Sequence, residues 1–146
     1  MKNPLLLLLP ALALLCTSCS TPMDVTQFSP AEKSLFDAIN SLRASNGKAP
    51  LNPSSKLTKI ARQDAARRGS GDESFVDHVA QSGFLSLATV AGKARTGPSH
   101  TGTLINHWKN NATDNQRLTG NFTDIGIGTA LFRDGLEYAV ILIGSY

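Results

Sequence analysis

The sequence predicts an α+β fold in which helices cover both faces of a small antiparallel sheet, giving a three-layer α-β-α sandwich. Between residues 29 and 111, apolar residues recur mostly at the spacing of amphipathic helices. Near the C-terminus, two apolar segments flank Asp134-Gly135, a dipeptide typical of β-hairpin turns. The second segment is apolar on both faces, which predicts a central strand covered from both sides.

Length and composition limit the class of protein. The chain has 146 residues, which suits one domain, and its 41% hydrophobic and 17% charged residues are typical of globular proteins. The formal charge is only +3, and basic and acidic residues are interspersed, so no nucleic-acid partner is expected. Because both cysteines, Cys16 and Cys19, lie near the N-terminus, core packing rather than a disulfide is expected to hold the fold.

The N-terminus has the pattern of an export signal. A short basic start is followed by an apolar run over residues 5–15, shorter than the ~20 residues that span a bilayer. Small residues then precede Cys19 in a pattern that resembles the lipobox of bacterial lipoproteins, with Cys16 where a Leu is usual. Lipidation of Cys19 is therefore predicted, and secretion without lipid is the alternative.

These features predict the organisation of the chain. Residues 1–18 are expected to be a signal peptide, residues 19–28 a lipid-anchored tether, and residues 29–146 the folded domain. The predicted location is the cell envelope, facing the periplasm or the exterior, and the membrane is a predicted partner through the N-terminal lipid.

Four helices are predicted in order. The first begins at Ser29-Pro30 with a capping box closed by Glu32, and the second begins at Asn52-Pro53 and ends near Gly69. A short third helix carries Phe75, Val76 and Val79, and the fourth covers residues 101–111. Asp64 falls within the apolar stripe of the second helix, where a buried carboxylate satisfied by the backbone or an Arg is expected.

Strands are predicted at residues 85–94, 125–132 and 136–145, with a turn or bulge at Gly92-Lys93. The residues between Trp108 and Ile125 are expected to form a polar hinge, with a cleft where this hinge crosses the edge of the sheet. Asn111 is expected to look into the fold, whereas His100 and His107 are expected on the solvent side. Phosphate-binding, serine-hydrolase and zinc-protease motifs are not found in the sequence.

The order of segments resembles the CAP superfamily of cysteine-rich secretory, antigen 5 and pathogenesis-related 1 proteins. Residues 38–51 resemble its opening helix with the pattern N-x-x-R…G…P-L, and Phe75-Val-Asp-His78 resembles its F-x-H segment. Trp108 and the later run Phe122-Thr-Asp-Ile-Gly-Ile-Gly128 resemble the W and F-T-x-I-G-x-G of bacterial members. The resemblance implies an α-β-α sandwich, in agreement with the periodicity.

The resemblance also implies a cleft, which in this family carries two His and two acidic residues and can hold a divalent metal. Here His78 matches the first His, but Lys93 stands where a Glu is usual and Asp114 where a His is usual. Asn111 occupies a position that is Glu in some members, and Asp64 replaces a His of the second helix. The cleft candidates are thus His78, Lys93, Asn111 and Asp114. A Lys ammonium repels a cation and offers no lone pair, so no metal or other cofactor is expected.

The resemblance implies three possible functions. The first is a non-catalytic binding or interaction module, with a lipid, a small molecule or a protein as ligand. The second is a hydrolase or peptidase that uses His78 with Asp114, for which no nucleophile is evident. The third is a structural envelope protein without a ligand. An inward Lys93 would favour binding, and an outward Lys93 would reopen a metal site.

Overall fold

The structure is a computed structural model that describes residues 23–146, except for the side chain of Thr26. The predicted signal peptide and Cys19 lie outside the described residues. In chain order the elements are α1 (Pro30–Ser45), β1 (Asn52–Pro53), α2 (Ser55–Gly69), α3 (Val79–Ser82), β2 (Ser86–Arg95), α4 (His100–Asn110), α5 (Ala112–Leu118), β3 (Asp124–Leu131) and β4 (Leu136–Ser145).

The four strands form one sheet in the order β1-β3-β4-β2, which makes β2 an edge strand and β4 a central one. β4 pairs antiparallel with both β2 and β3, as predicted for the C-terminal hairpin. The two residues of β1 pair parallel with β3, so the sheet is mixed rather than purely antiparallel. The hairpin loop spans residues 132–135 instead of two residues, with Asp134 and Gly135 at φ of 59° and 72°.

The side chains of β4 point alternately to the two faces of the sheet, and both sets are buried. This explains why the strand is apolar on both faces. Ala139, Ile141 and Ile143 join a core cluster with residues of α1 and α4 on one face of the sheet. Val140 and Leu142 pack on the other face against α2. The predicted α-β-α layering is therefore confirmed.

α2 lies unusually close to the sheet at two glycines of β3. A Cβ placed on Gly126 would lie 2.1 Å from the backbone of Leu57, and one on Gly128 would lie 2.3 Å from the backbone of Ala61 and Arg62. Only residues without a side chain allow such an approach. These two glycines therefore fix where α2 crosses the sheet.

Several helix boundaries in the structure differ from the predicted ones. The capping box at Ser29 and Glu32 is confirmed by reciprocal hydrogen bonds of 3.2 and 2.8 Å. Asn52-Pro53 does not begin α2 but forms β1, and Ser54 is the N-cap, accepting a hydrogen bond from the Leu57 amide. The third helix has only four residues, and Phe75, predicted to lie in it, precedes it and is 82% exposed.

The predicted polar hinge contains a helix, α5, and is fastened by a buried arginine of α1. Arg43 is 2% exposed, and its Nη1 donates to the carbonyls of Leu118 and Gly120 at 2.8 and 2.9 Å. Its Nε donates to the Ala49 carbonyl at 2.8 Å. Through these bonds one side chain of α1 holds the Ala49 segment and the end of the connection at Leu118 and Gly120.

The described part of the predicted tether also belongs to the domain. Met23 and Phe28 are buried in the cluster beneath α1, and Arg62 of α2 donates to the Gln27 carbonyl at 2.9 Å. No helix in residues 23–146 combines the length and apolar composition needed to cross a bilayer.

The close approach of α2 predicts that Gly128→Ala destabilises the protein by about 3 kcal/mol, because the added methyl group meets helix backbone that cannot rotate away. Gly102→Ala, in the first turn of α4, is the matched control, since its Cβ would meet nothing within 4 Å and the change should not destabilise the protein. Urea unfolding of both variants measures the difference. Equal stability of the two would show that α2 can shift without cost.

Candidate functional site

Two adjoining cavities follow β2 at the edge of the sheet. The first, here called the His78 cavity, has a volume of about 390 Å³ and is bounded by β2, α5 and the segment before α3. The second, the Lys93 cavity, has a volume of about 360 Å³ and is bounded by β2, α4 and Tyr138 of β4. Arg68 and Ala91 line both cavities, and the two adjoining cavities are here together called the groove.

Side chains of α4 and α5 attach the helices to the outer edge of β2. Trp108 Nε1 donates to the Ala91 carbonyl at 3.3 Å, and Arg117 Nη1 donates to the Thr89 carbonyl at 3.2 Å. The edge strand therefore has its carbonyls partly satisfied, and α5 forms a wall of the His78 cavity. The predicted cleft beside the hinge and the sheet edge lies here.

His78 lies in the wall of the His78 cavity, at the N-cap position of α3. Its side chain is 5% exposed, and neither ring nitrogen has a hydrogen-bond partner among the described residues. The nearest carboxylate oxygen is Asp64 Oδ2, 3.5 Å from Nε2. A buried imidazole without partners is costly unless a ligand or water satisfies it.

Asp64 lies behind His78 and is held by two arginines, as the sequence predicted for a satisfied carboxylate. Arg67 bonds Oδ1 through Nε at 3.0 Å and also through Nη2, and Arg68 Nε bonds Oδ2 at 3.1 Å. Burial alone would raise the pKa of Asp64, but the hydrogen bonds from Arg67 and Arg68 outweigh it and lower the pKa below its usual value. Asp64 is therefore an ionised group whose charge is shared by two guanidinium groups.

The two arginines differ in their remaining contacts. Arg67 also binds Asp72 at 3.0 Å, and hydrogen bonds from Ser74, together with Arg67, lower the pKa of Asp72 to about 2. Arg67 lines a smaller cavity of about 160 Å³ on the far side of His78. Arg68 makes its hydrogen bond through Nε alone, within the described residues, and its side chain is 14% exposed between the two larger cavities.

Lys93 lies in the Lys93 cavity and not beside His78. Its Nζ lies 3.0 Å from Glu73 Oε1 and 3.0 Å from the Tyr138 hydroxyl, and it also approaches the ring of Phe132. The contacts with Tyr138 and Glu73 raise the pKa of Lys93. β2 continues through Gly92-Lys93 without the predicted turn, and this pairing directs Lys93 toward Tyr138.

Of the other two cleft candidates, Asp114 lines the His78 cavity and Asn111 lies on the surface. Asp114 lines the His78 cavity, where its carboxylate lies 3.5 Å from Arg117 Nη1. Asn111 is exposed, lines neither cavity and caps α5 by accepting a hydrogen bond from the Asp114 amide at 3.1 Å. The expectation that Asn111 looks into the fold was wrong, because α4 ends before it. The structure thus brings together His78 and Asp114 only.

The other two histidines differ from each other. His107 is exposed, as predicted, and lines the Lys93 cavity. His100 is 4% exposed, with Nε2 3.6 Å from Glu137 Oε2, so its predicted solvent-side position was wrong. The helix begins one residue earlier than predicted, which places His100 in its first turn against β4.

The residues of the groove do not fit the divalent metal that the resemblance allows. In residues 23–146, no three side chains of His, Cys, Asp or Glu lie close enough together to hold an ion. The His78 cavity contains His78, Asp77 and Asp114 as possible ligands, but Arg68 and Arg117 line the same space. Two permanent cations beside so few donors disfavour a metal there.

Arg68 and Arg117 were not predicted as groove residues from the sequence. Arg68 lies in the last turn of α2, where a cation also suits the helix dipole. Arg68 follows the buried Asp64 by four residues, so the two side chains lie on one helix face. This spacing is the signal in the sequence that could have indicated Arg68. Arg117 gave no comparable signal, because α5 was not predicted.

Comparison with known proteins agrees with this fold. The sequence profile of the CAP family, described as the cysteine-rich secretory protein family, matches residues 36–144. No curated protein matches the chain in sequence. An outer surface protein of Borrelia burgdorferi has a similar structure, with a TM-score of 0.67 and 17% identity over 87% of this chain and 98% of that one.

Two further solved structures are similar. A cysteine-rich secretory protein of Staphylococcus aureus has a TM-score of 0.65 and 22% identity, over 84% of this chain and 41% of that chain. The manganese-bound Ancylostoma-secreted protein Ac-ASP-7 has a TM-score of 0.59 and 13% identity, over 86% and 75% of the two chains. At these identities the similarity concerns the fold alone.

The lowered pKa of Asp64 predicts how its contribution depends on pH. The stabilisation is complete above the unfolded-state pKa of about 4 and is lost as pH falls through the lower folded-state pKa. We expect Asp64→Asn to cost about 3 kcal/mol at pH 7, because two guanidinium groups lose their anion.

Urea unfolding at a series of pH values from 7 downward measures this difference, which should shrink below about pH 4. Asp37→Asn, which removes an exposed carboxylate paired with Lys33, is the control and should change stability little. A difference that stayed constant down to the lowest pH would contradict the assignment of an ionised Asp64.

Proposed function

The chain belongs to the CAP family, the cysteine-rich secretory protein family, and on that premise we propose that it is a lipid-anchored, extracytoplasmic binding module. The groove along β2 is the proposed ligand site. The ligand is held there without being chemically changed. A small molecule, a lipid or a segment of another protein are the classes of ligand that the groove could admit.

The proposal rests on the buried imidazole of His78, whose ring nitrogens make no hydrogen bonds with the residues described. Its imidazole is buried in the wall of a cavity of about 390 Å³ and lacks hydrogen-bond partners in the described part of the chain. This volume falls within the ~300–1,000 Å³ typical of ligand pockets. A ligand that bonds the ring would satisfy a group that the protein leaves unsatisfied, which supports binding at this position.

The carboxylates near His78 are poorly placed for acid-base chemistry. Asp64 is the one in contact with the ring, and its charge is already shared by Arg67 and Arg68. Asp114 is associated with Arg117 and lies in the first turn of α5. Thr89 is among the residues that line the His78 cavity, but no Ser or Cys of the described residues lines it.

The proposed location has two lines of support. The N-terminal sequence has the pattern of an export signal, followed by Cys19 in a lipobox-like context. The similar proteins include an outer surface protein and an extracellular protein with an SCP domain from Bacillus anthracis. Since Met23 is already buried in the domain, a lipid on Cys19 would hold the domain close to the membrane surface.

Lipid attachment at Cys19 predicts that Cys19→Ala leaves the protein unprocessed or releases it from the membrane fraction. Labelling cells with a radioactive fatty acid should mark the wild type and not the variant. Cys16→Ala is the matched control and should still be labelled, because Cys16 lies within the part removed. Wild-type protein that never takes up label would leave secretion without lipid as the explanation.

A hydrolase remains the second candidate, because His78 and Asp114 line the same cavity. In this family such a site could use a bound metal. A divalent ion ~5 Å from one guanidinium at an effective dielectric of ~20 meets a repulsion on the order of 6 kcal/mol. Unlike a lysine, an arginine cannot relieve this by losing its proton.

We therefore expect zinc to bind the mature, untagged protein no more tightly than roughly 0.1 mM at neutral pH, about 5 kcal/mol on the affinity scale. Isothermal titration calorimetry measures the affinity, with His78→Ala as the control for binding at this cavity. Micromolar binding by the wild type that is lost in His78→Ala would overturn the non-catalytic assignment and favour the hydrolase.

A further inference from the structure

We infer that the groove binds an extended, uncharged segment of another polypeptide, which pairs as an added strand with the outer edge of β2. This inference rests on the proposed binding function and names the partner. It depends on backbone amides that make no hydrogen bonds with the described residues, on an imidazole in the same position beside them, and on two walls of different polarity.

The outer edge of β2 carries a row of backbone groups that point away from the sheet. β2 pairs with β4 in one unbroken antiparallel register, so alternate residues point their N–H and C=O groups toward β4. The Thr96 amide donates to the Gly135 carbonyl in the same register, which assigns the even-numbered residues to the β4 side. The odd-numbered residues Leu87, Thr89 and Ala91 therefore direct their amides and carbonyls outward.

Only part of this row is used within the protein. The Thr89 carbonyl accepts a hydrogen bond from Arg117, which confirms that it points outward. The Ala91 carbonyl accepts one from Trp108 in the same way. Among the described residues, no partner is found for the amides of Leu87, Thr89 and Ala91 or for the Leu87 carbonyl. All three residues line the His78 cavity, and a sheet edge of this kind is where extended peptides add as a further strand.

The two walls of the His78 cavity differ in polarity, which defines the side chains of the partner. On the α2 side of the sheet lie Leu87 and the 82% exposed Phe75, which follows a segment bound to Arg67 of α2. On the other side lies α5, which contributes Asp114 and Arg117. Since side chains of a strand alternate between faces, the partner is a segment in which apolar and polar residues alternate.

His78 supplies a polar group that matches a peptide unit. Its imidazole is 5% exposed in the wall of the same cavity, and neither ring nitrogen has a partner in the described part of the chain. A neutral imidazole has one donor and one acceptor, as a peptide unit has. A partner whose backbone passes the ring therefore satisfies a group that the domain leaves unsatisfied.

The charges around the cavity favour a partner without charge. Three guanidinium groups are matched by three carboxylates, in the pairs Arg67–Asp72, Arg68–Asp64 and Arg117–Asp114. Asp77 adds a negative charge to the lining, so an anionic ligand meets no uncompensated cation. Hydrogen bonds between neutral backbone groups need no such cation, and the terminal N–H groups of Arg68 can donate to a peptide carbonyl.

The probe is the pentapeptide acetyl-Thr-Val-Thr-Val-Thr-amide, whose blocked ends leave it uncharged. Its length suits the edge from Leu87 to Ala91, which spans about 13 Å at the rise of a strand. An analogue N-methylated at all five residues cannot pair along either edge, and N-propylacetamide offers a single amide. Each probe is titrated into the protein as processed by the cell, in a nonionic detergent common to all arms.

Amide hydrogen exchange measured by NMR reports pairing residue by residue. At saturation with the pentapeptide, we expect exchange at Leu87 and Thr89 to slow by at least about tenfold, because their amides become bonded. The amides of Ala88 and Val90 already bond to β4 and are the internal controls, which should change little. Long-range ¹H–¹⁵N spectra should show a shift of the His78 ring nitrogens at the same peptide concentrations.

A proline at an outward-facing amide tests the edge without breaking the pairing with β4. Thr89→Pro removes an N–H that points away from β4, a position at which an edge strand tolerates proline. It should weaken pentapeptide binding by roughly 3- to 10-fold, the effect of losing one hydrogen bond. Thr89→Val keeps the N–H and the shape of the side chain, so its affinity should stay within about twofold of the wild type. If circular dichroism shows Thr89→Pro to be unfolded, the N-methylated analogue on the wild type decides the question.

Each other outcome has a defined meaning. Equal binding of the pentapeptide and its N-methylated analogue would overturn strand addition, as would equal slowing of the inward and outward amides. An unchanged affinity in a folded Thr89→Pro variant would overturn the assignment to the edge of β2. Binding of N-propylacetamide at His78 without binding of the pentapeptide would overturn the inference, while the proposed groove would survive. No response to any probe would overturn both.

Discussion

The close seating of α2 on β3 is the constraint on which the rest of the site depends. Because Gly126 and Gly128 have no side chains, the backbone of α2 reaches the sheet, and the position of the helix along β3 is fixed. The C-terminal end of α2 then lies where Asp64 contacts His78 and where Arg68 lines the cavities along β2. A larger residue at either glycine would lift the helix and move the carboxylate away from His78. The groove therefore depends on backbone contacts at Leu57 and Ala61, which precede Asp64 and Arg68 along the same face of α2.

The charges of the groove depend on this placement. In the CAP family, as the resemblance implies, the cleft combines two His and two acidic residues and can hold a divalent ion. Here the acidic group nearest to His78 is Asp64, which belongs to α2 and is bound by two guanidinium groups instead of facing the cavity. The charged side chains that line the His78 cavity are Arg68, Arg117, Asp77 and Asp114. Two guanidinium groups thus stand in a cleft where the resemblance implies a site suited to a cation.

Much of the fold could be predicted from the sequence because local interactions determine it. The capping box at Ser29 and the two-faced apolar pattern of β4 are each encoded within a short segment, and both are confirmed. The site could be predicted only in part, since its geometry depends on contacts between distant segments. Lys93 was placed with His78 by resemblance, but its pairing in β2 directs it to Glu73 and Tyr138. The buried position of His100 likewise depends on where α4 begins relative to β4, which no local pattern specifies.

Arg43 and Arg68 differ in how many of their N–H groups donate hydrogen bonds within the protein. Arg43 and Arg68 both have mostly buried side chains, and burial alone would give them the same interpretation. The guanidinium of Arg43 donates to carbonyls of four residues, Ala49, Leu118, Gly120 and Phe122, at 2.8 to 3.4 Å, so its donors are used within the protein. Arg68 donates to Asp64 alone among the described residues and borders open space on both sides. A buried cation with satisfied donors holds a fold together, whereas one with donors directed at a cavity is suited to bind what enters it.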